Sequence, residues 1–152
     1  MVPRPLRWFS PSRDEIRSLP DDVKDEIGFR LRRLQNGEHA ADPNIKRFGE
    51  DPRIAHLMKI VSDGEDGNTY RAAVAIEFEE GVWVLDVFEK RSSSGLGTPK
   101  KDINRIARRL TRLQEFRKTA AGQQMIAGMK DETRAYEAAE AARARKPRGG
   151  AQ

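Results

Sequence analysis

The residues with the clearest chemical capacity are cations gathered late in the chain. Residues 90 to 112 hold Lys90, Arg91, Lys100, Lys101, Arg105, Arg108, Arg109 and Arg112 against the single anion Asp102, a local net of +7. The whole chain is +5, so everything outside that window sums to −2. Just upstream, residues 77 to 89 carry Glu77, Glu79, Glu80, Asp86 and Glu89 with no cation. A basic row of this kind has two readings. One is a solvated helix face. The other is a surface for phosphate, in which each Lys or Arg releases condensed counterions on binding nucleic acid.

Other chemistries are narrowed by what the chain lacks. There is no cysteine, which removes disulfides, thiolate nucleophiles and Cys-ligated zinc or iron–sulfur centres. His39 and His56 have neither metal-ligand spacing nor a nearby carboxylate pair. His39 reads as a loop residue and His56 as a minor candidate for touching RNA. Glu77, Glu79, Glu80 and Asp86 could in principle hold a nuclease metal, but three of them crowd a turn, and a solvated hairpin is the more economical reading. Gly64, Gly67, Gly95 and Gly97 form neither a P-loop nor a dinucleotide fingerprint. Met125 and Met129 stand at helical spacing and read as packing residues. No metal and no cofactor is expected.

The 152 residues suit one domain with an appendage, with 37% hydrophobic and 35% charged residues implying an economical core under a charged surface. No apolar run approaches the roughly 20 residues of a membrane span. Met1-Val2-Pro3-Arg4-Pro5 lacks the apolar stretch of a signal peptide, so a cytoplasmic protein without a membrane partner is expected.

These side chains need elements to position them. Arg7-Trp8-Phe9-Ser10 reads as an edge strand. Ser12 and Glu15 have capping-box spacing, opening a short helix that stops at Ser18 before Leu19-Pro20. Pro20 opens a second helix with Asp21 and Asp22 in its first turn. Val23, Ile27, Leu31 and Leu34 form one apolar face, and Asn36-Gly37 ends it. Residues 37 to 53 read as loop. Ile54 to Val61, Thr69 to Phe78 and Val82 to Phe88 read as three strands joined by short turns, an antiparallel meander. On the second, Tyr70, Ala72, Val74, Ile76 and Phe78 share a face, which makes Tyr70 core and Arg71 exposed. Ser92 to Gly97 is a flexible Ser/Gly loop. Thr98 and Pro99 serve as N-cap and first residue of a helix, with Ile103, Ile106, Ala107, Leu110 and Leu113 as its apolar stripe. Residues 120 to 145 are Ala-rich and can be helical, but offer little to a core. Lys146 to Gly150 reads as a frayed terminus.

At several places in this series the chain resembles the RelE/ParE/HigB superfamily of type II toxin–antitoxin toxins, nearest its phage-derived HigB-like branch. The resemblance rests on Leu19-Pro20-Asp21-Asp22-Val23 with Asp25-Glu26-Ile27-Gly28, on Lys46-Arg47-Phe48-Gly49, on Thr69-Tyr70-Arg71-Ala72, on Phe88-Glu89-Lys90-Arg91, and on Thr98-Pro99-Lys100-Lys101-Asp102-Ile103. It spans roughly Ser10 to Phe116. One departure is Leu57-Met58-Lys59, where the first central strand of the branch usually has Glu-Leu-Arg. Lys cannot make the bidentate phosphate contact of Arg.

The resemblance implies an α+β, RelE-like fold: an N-terminal helical hairpin on a small, mainly antiparallel sheet, followed by a C-terminal helix. Residues 1–118 would be the toxin domain and 119–152 an Ala-rich extension, helical or partly disordered. It implies a ribosome-dependent mRNA interferase, a metal-independent endoribonuclease, neutralised by a cognate antitoxin. Such cleavage uses the 2′-OH as nucleophile and leaves a 2′,3′-cyclic phosphate, so the protein must help remove the 2′-OH proton, stabilise a more negative phosphorane and protonate the leaving 5′-oxygen. Lys59 and Arg71 are the expected phosphate clamps, with Lys90 or Arg91 at the leaving group. Lys46, Arg47, Lys100 and Lys101 would bind RNA. Phe88 reads first as core and second as a base-stacking platform. The alternatives are a ParE-like, non-enzymatic inhibitor of DNA gyrase, and a non-toxic nucleic-acid-binding protein that keeps the fold. The sequence leaves the oligomeric state open.

Overall fold

A central sheet organises the molecule because its middle strands are apolar on both faces. In the computed structural model, which describes residues 2–91 and 97–145, five strands run in the order β1-β5-β4-β3-β2. They are β1 (Leu6–Trp8), β2 (Ile45–Arg47), β3 (Met58–Asp63), β4 (Thr69–Ala75) and β5 (Val82–Lys90). β3, β4 and β5 form the antiparallel meander. β1 joins the β5 edge in parallel, with Leu6 opposite Val82, so the sheet is mixed. The helices are α1 (Ser12–Arg17), α2 (Asp21–Gln35), α3 (Lys100–Lys118) and α4 (Ala120–Arg145). Residues 92–96 of the Ser/Gly loop expected at 92–97, and the expected frayed terminus from 146, lie outside the described residues.

Two cores result, one on each face. Val23, Ile27, Leu31 and Leu34 of α2 pack on Met58, Ile60, Tyr70, Ala72, Val74, Val84 and Val87. Ile103, Ile106, Ala107, Leu110 and Leu113 of α3 pack on Ala73, Ala75, Trp83, Leu85 and Phe88. Both apolar stripes are where the helical periodicity places them. The end of α2 also follows the sequence: Gly37 is left-handed at φ +69°, and the N–H groups of Gly37 and Glu38 return to Leu34 O and Arg33 O.

Several local expectations are corrected. Ser12 and Glu15 make no capping box. Pro11 is the N-cap; Ser12 Oγ donates to Val84 O at 2.9 Å, and Glu15 accepts from Val87 N at 3.2 Å. A tertiary partner outcompetes the local one: Val84 O takes Ser12 Oγ in addition to Phe9 N, and Val87 lies beyond the residues of β5 that β1 pairs. Pro20 and Pro99 are N-caps rather than first helical residues. Residues 45–47, read as loop, form β2 against β3; a three-residue strand is too short to show period-two alternation. The first meander strand begins at Met58, with Ile54 and Leu57 buried in turns before it.

The tail also does more than expected. Thr119 caps α4, its Oγ1 accepting from Gly122 N at 3.0 Å. The α3–α4 corner is so tight that a Cβ on Gly122 would stand 1.8 Å from Phe116 O. α4 then returns Ile126 and Met129 to the body, and Met129 is fully buried in the α3-side core. The Ala-rich composition concealed this, since two residues do the packing.

Candidate functional site

Strand register decides which cations meet. Residues directly opposite in an antiparallel pair project from the same face. Lys46 pairs with Lys59, Lys59 with Ala73, and Arg71 with both Val61 and Phe88. Ala73 and Phe88 belong to the α3-side core, so Lys59 and Arg71 also face α3, close to where that helix begins. They are buried, each only 7% exposed, which overturns the expectation that Arg71 is exposed. Both faces of β4 are covered, so alternation separates the two cores instead of core from solvent.

A carboxylate joins these cations. Lys59 Nζ donates to Glu50 Oε1 at 2.5 Å and stands 5.0 Å from the centre of the Phe48 ring. Thr98 N donates to Glu50 Oε2 at 2.6 Å, and Thr98 Oγ1 to Glu50 Oε1 at 3.4 Å. Arg71 Nη1 donates to Thr98 Oγ1 at 2.9 Å. Burial alone would raise the Glu50 pKa, but the bonds from Lys59 and Thr98 more than offset it and hold it below the usual glutamate value. Burial also lowers the Arg71 pKa, opposed by the charges of Glu50, Asp102 and Asp63. Arg71 Nε is buried with no hydrogen-bond partner among the described residues.

Around this buried cluster lie exposed lysines. Lys46 is on the edge strand beside Lys59, and Lys100 and Lys101 are the first two residues of α3. None of the three makes an ion pair among the described residues. Lys90 ends β5 opposite Thr69, half-buried, two residues on from Phe88 and so on the same face of the sheet. Arg91 is not drawn into the cluster; it is exposed and pairs with Glu89 at 3.0 Å. Arg47 projects from the opposite face to Lys46, and its Nη1 bonds His56 O at 2.8 Å. Phe88 is 9% exposed within the core, with the Arg105 guanidinium 5.3 Å from its ring centre, which suits packing.

The basic window is largely neutralised in its middle. Arg105 makes a fork to Asp86 at 2.8 and 3.0 Å and a bond to Asp102 at 2.7 Å. Arg109, 7% exposed, bonds both oxygens of Glu15 at 2.7 and 2.9 Å and lies 2.9 Å from Asp86. Burial works against charge on Arg105, but its bonds to Asp86 and Asp102 outweigh this and hold its pKa above the usual guanidinium value. A bulge explains the placement of Asp86. Ala73 pairs with Asp86 and Val74 with Val84, leaving Leu85 extra. Leu85 and the consecutive Asp86 therefore both reach the α3 side. Neither arginine belongs to a solvated face; Arg108 and Arg112 do.

The acids upstream do not converge. Glu77 meets His56 Nε2 at 2.7 Å, Glu79 meets Lys130 at 2.8 Å, and Glu80 accepts from Arg117 and from Trp83 Nε1. The solvated-hairpin reading thus fails for Glu80, which is 2% exposed, while His56 has a single carboxylate partner in Glu77. His56 borders a concavity of about 360 Å³ with Arg53, Arg108, Thr111 and Gln114. Among the described residues no three His, Cys, Asp or Glu side chains are grouped to hold a metal ion. No helix there is long and apolar enough to cross a membrane.

Comparison with protein families matches residues 14–111 to "Phage derived protein Gp49-like". This chain belongs to the Gp49-like family. The Gp49-like family is a RelE/ParE-like, toxin-type family associated with toxin–antitoxin systems, which brings an antitoxin into view as a partner. No curated protein and no solved structure gives a match. The matched span runs from α1 into α3 and so contains all nine cations and aromatics singled out from the sequence. It also contains Glu50 and the hydrogen-bonded form of Thr98, which sequence reasoning missed. Glu50 lies in a turn-rich segment with no periodicity, and Thr98 before a proline looks like an ordinary cap.

Proposed function

We propose that this Gp49-like protein is a toxin that cleaves mRNA on the ribosome without a metal and is neutralised by a cognate antitoxin. One observation carries the reading: Lys59 and Arg71 are brought to one place beside the start of α3, with exposed Lys46, Lys100 and Lys101 around them. A buried pair of cations has its strongest effect on charge that appears only in the transition state, because little water competes there. RNA transesterification creates such charge on the phosphorane. In this scheme Lys59 and Arg71 oppose it, Lys90 stands at the leaving 5′-oxygen, and the exposed lysines hold flanking phosphates. Arg91 and Arg47 act on the approach of RNA, and Phe88 supports the strand from the core.

A specific observation favours a second reading. Lys59 is already paired with Glu50, as in a nucleic-acid-binding protein that keeps the fold without cleaving. Controlled bacterial expression with transcriptome-wide mapping of new RNA 5′ ends separates these. Cuts within translated codons that disappear in Lys90→Ala support the interferase. Growth arrest with intact RNA and DNA damage signalling points to gyrase inhibition, and intact RNA with normal growth to the non-toxic binder.

A further inference from the structure

The strongest unexplained feature of the site is the place of Glu50. Its two oxygens accept from the Lys59 ammonium, which the proposed function assigns to RNA phosphate, and from the backbone N–H and hydroxyl of Thr98, to which Arg71 also donates. A carboxylate and a phosphodiester both present two oxygens sharing one negative charge. We infer that Lys59, Thr98 and Arg71 form an oxyanion receptor that Glu50 fills in the RNA-free protein, and that a phosphodiester of RNA enters by displacing it. This rests on the reading of Lys59 and Arg71 as the phosphate site.

The two sides of the contact differ in how firmly the fold holds them. The donors belong to the framework: Lys59 and Arg71 are in central strands, and Thr98 is 7% exposed before α3. Glu50 lies in the connection between β2 and β3, directly after Gly49, which has φ +62°. Its side chain is 27% exposed and belongs to neither core cluster, so it has a path into water. An empty receptor is the unfavourable state. Lys59 would then be a buried cation without its ion-pair partner, and Arg71 would keep only the charges of Asp102 and Asp63, while burial penalises both. Some anion has to be present, and Glu50 supplies it from within the chain. Arg71 Nε still lacks a partner among the described residues, so the carboxylate does not satisfy every donor in the site. A phosphate, with four oxygens, has more acceptors to offer. Lysine at position 59 suits this exchange, since a point charge can pass between anions without matching a fork.

The test is binding of a non-cleavable 2′-O-methyl RNA oligonucleotide to the full chain at fixed ionic strength, for wild type, Glu50→Gln, Lys59→Gln and the double variant. Glu50→Gln keeps size and removes the competing charge. Its affinity should rise about tenfold or more, the scale of one charge-assisted hydrogen bond no longer broken. The slope of log affinity against log salt should steepen by about 0.7, because one more cation is then neutralised by RNA rather than by the protein. Both gains should vanish in the double variant. Thermal unfolding checks that each variant is folded, and Glu50→Ala replaces Glu50→Gln if the glutamine variant is not. If Glu50→Gln binds no better while Lys59→Gln binds worse than wild type, Glu50 is a brace and the inference is overturned with the phosphate site intact. If Lys59→Gln changes binding in neither background, the site itself is misassigned and both readings fall.

Discussion

Replacing Met129 with alanine should destabilise the protein by about 3 kcal/mol, although it lies outside the family match and in the least core-like stretch of sequence. Met129 is 0% exposed, in one cluster with Trp83, Leu113 and Phe116. The packing is close: a Cβ on Gly81 would stand 2.8 Å from Met129 Cε. Losing the three outer heavy atoms removes about 2 kcal/mol of transfer energy at roughly 0.8 per methylene equivalent. A residual cavity on the order of 50 Å³ adds about 1 kcal/mol at roughly 24 cal/mol per Å³. For a domain near 150 residues that lowers Tm by roughly 6–12 °C. Met125→Ala is the control, since Met125 is 38% exposed on the same helix, and should shift stability by less than about 0.5 kcal/mol. Urea unfolding followed by the fluorescence of the buried Trp83 reads both. Equal, negligible effects would mean that α4 does not dock in solution and that the tail is an appendage after all.

Three further outcomes concern the surface lysines and buried Glu80. Lys46→Gln/Lys100→Gln/Lys101→Gln should flatten the salt dependence of RNA binding by about 2 in log–log slope, near 0.7 for each phosphate that the protein no longer neutralises; an unchanged slope would remove these lysines from the interface. Glu80→Gln should cost about 2–4 kcal/mol, because it uncouples buried Glu80 from Arg117 at 2.8 Å, and chemical denaturation at neutral pH measures it. The same variant should flatten the acid limb of stability: burial raises the Glu80 pKa, but Arg117 and Trp83 depress it below the ordinary 4.5, so its contribution is full above about that pH and is lost as pH falls through the depressed folded value.

The charge excess takes on a different meaning once the partners are known. The +7 window is one feature in the sequence. In the folded chain its middle arginines are internal, held by Asp86, Asp102 and Glu15. What faces outward is Arg91, Lys100 and Lys101, together with Arg108 and Arg112. Much of the acid that neutralises it comes from α1 and β5. The local count of charge therefore overstated the positive surface along α3, and a patch that includes Lys46 from the far edge of the sheet is the better place to look for RNA.

Local chemistry determined a good part of this protein. The stripe Val23, Ile27, Leu31 and Leu34 and the stripe from Ile103 to Leu113 declare two helices, because a 3.6-residue period is visible within one segment. Gly37 closes α2, and the polar turns around Gly64–Asn68 and Glu79–Gly81 separate the meander strands, because turn preferences are also local. The ordered series of short motifs sufficed to indicate the toxin-type family. Tertiary structure decided what is distant in sequence. That Arg71 is buried follows from α3 covering the second face of β4. That Glu15 serves Arg109 instead of capping its own helix follows from the open edge of β5. That Glu50 lies between Lys59 and Thr98, 48 residues from the latter, follows from strand register and from the packing of α3 on the sheet. Periodicity carries no information across such distances; only the fold brings the anion to the cations.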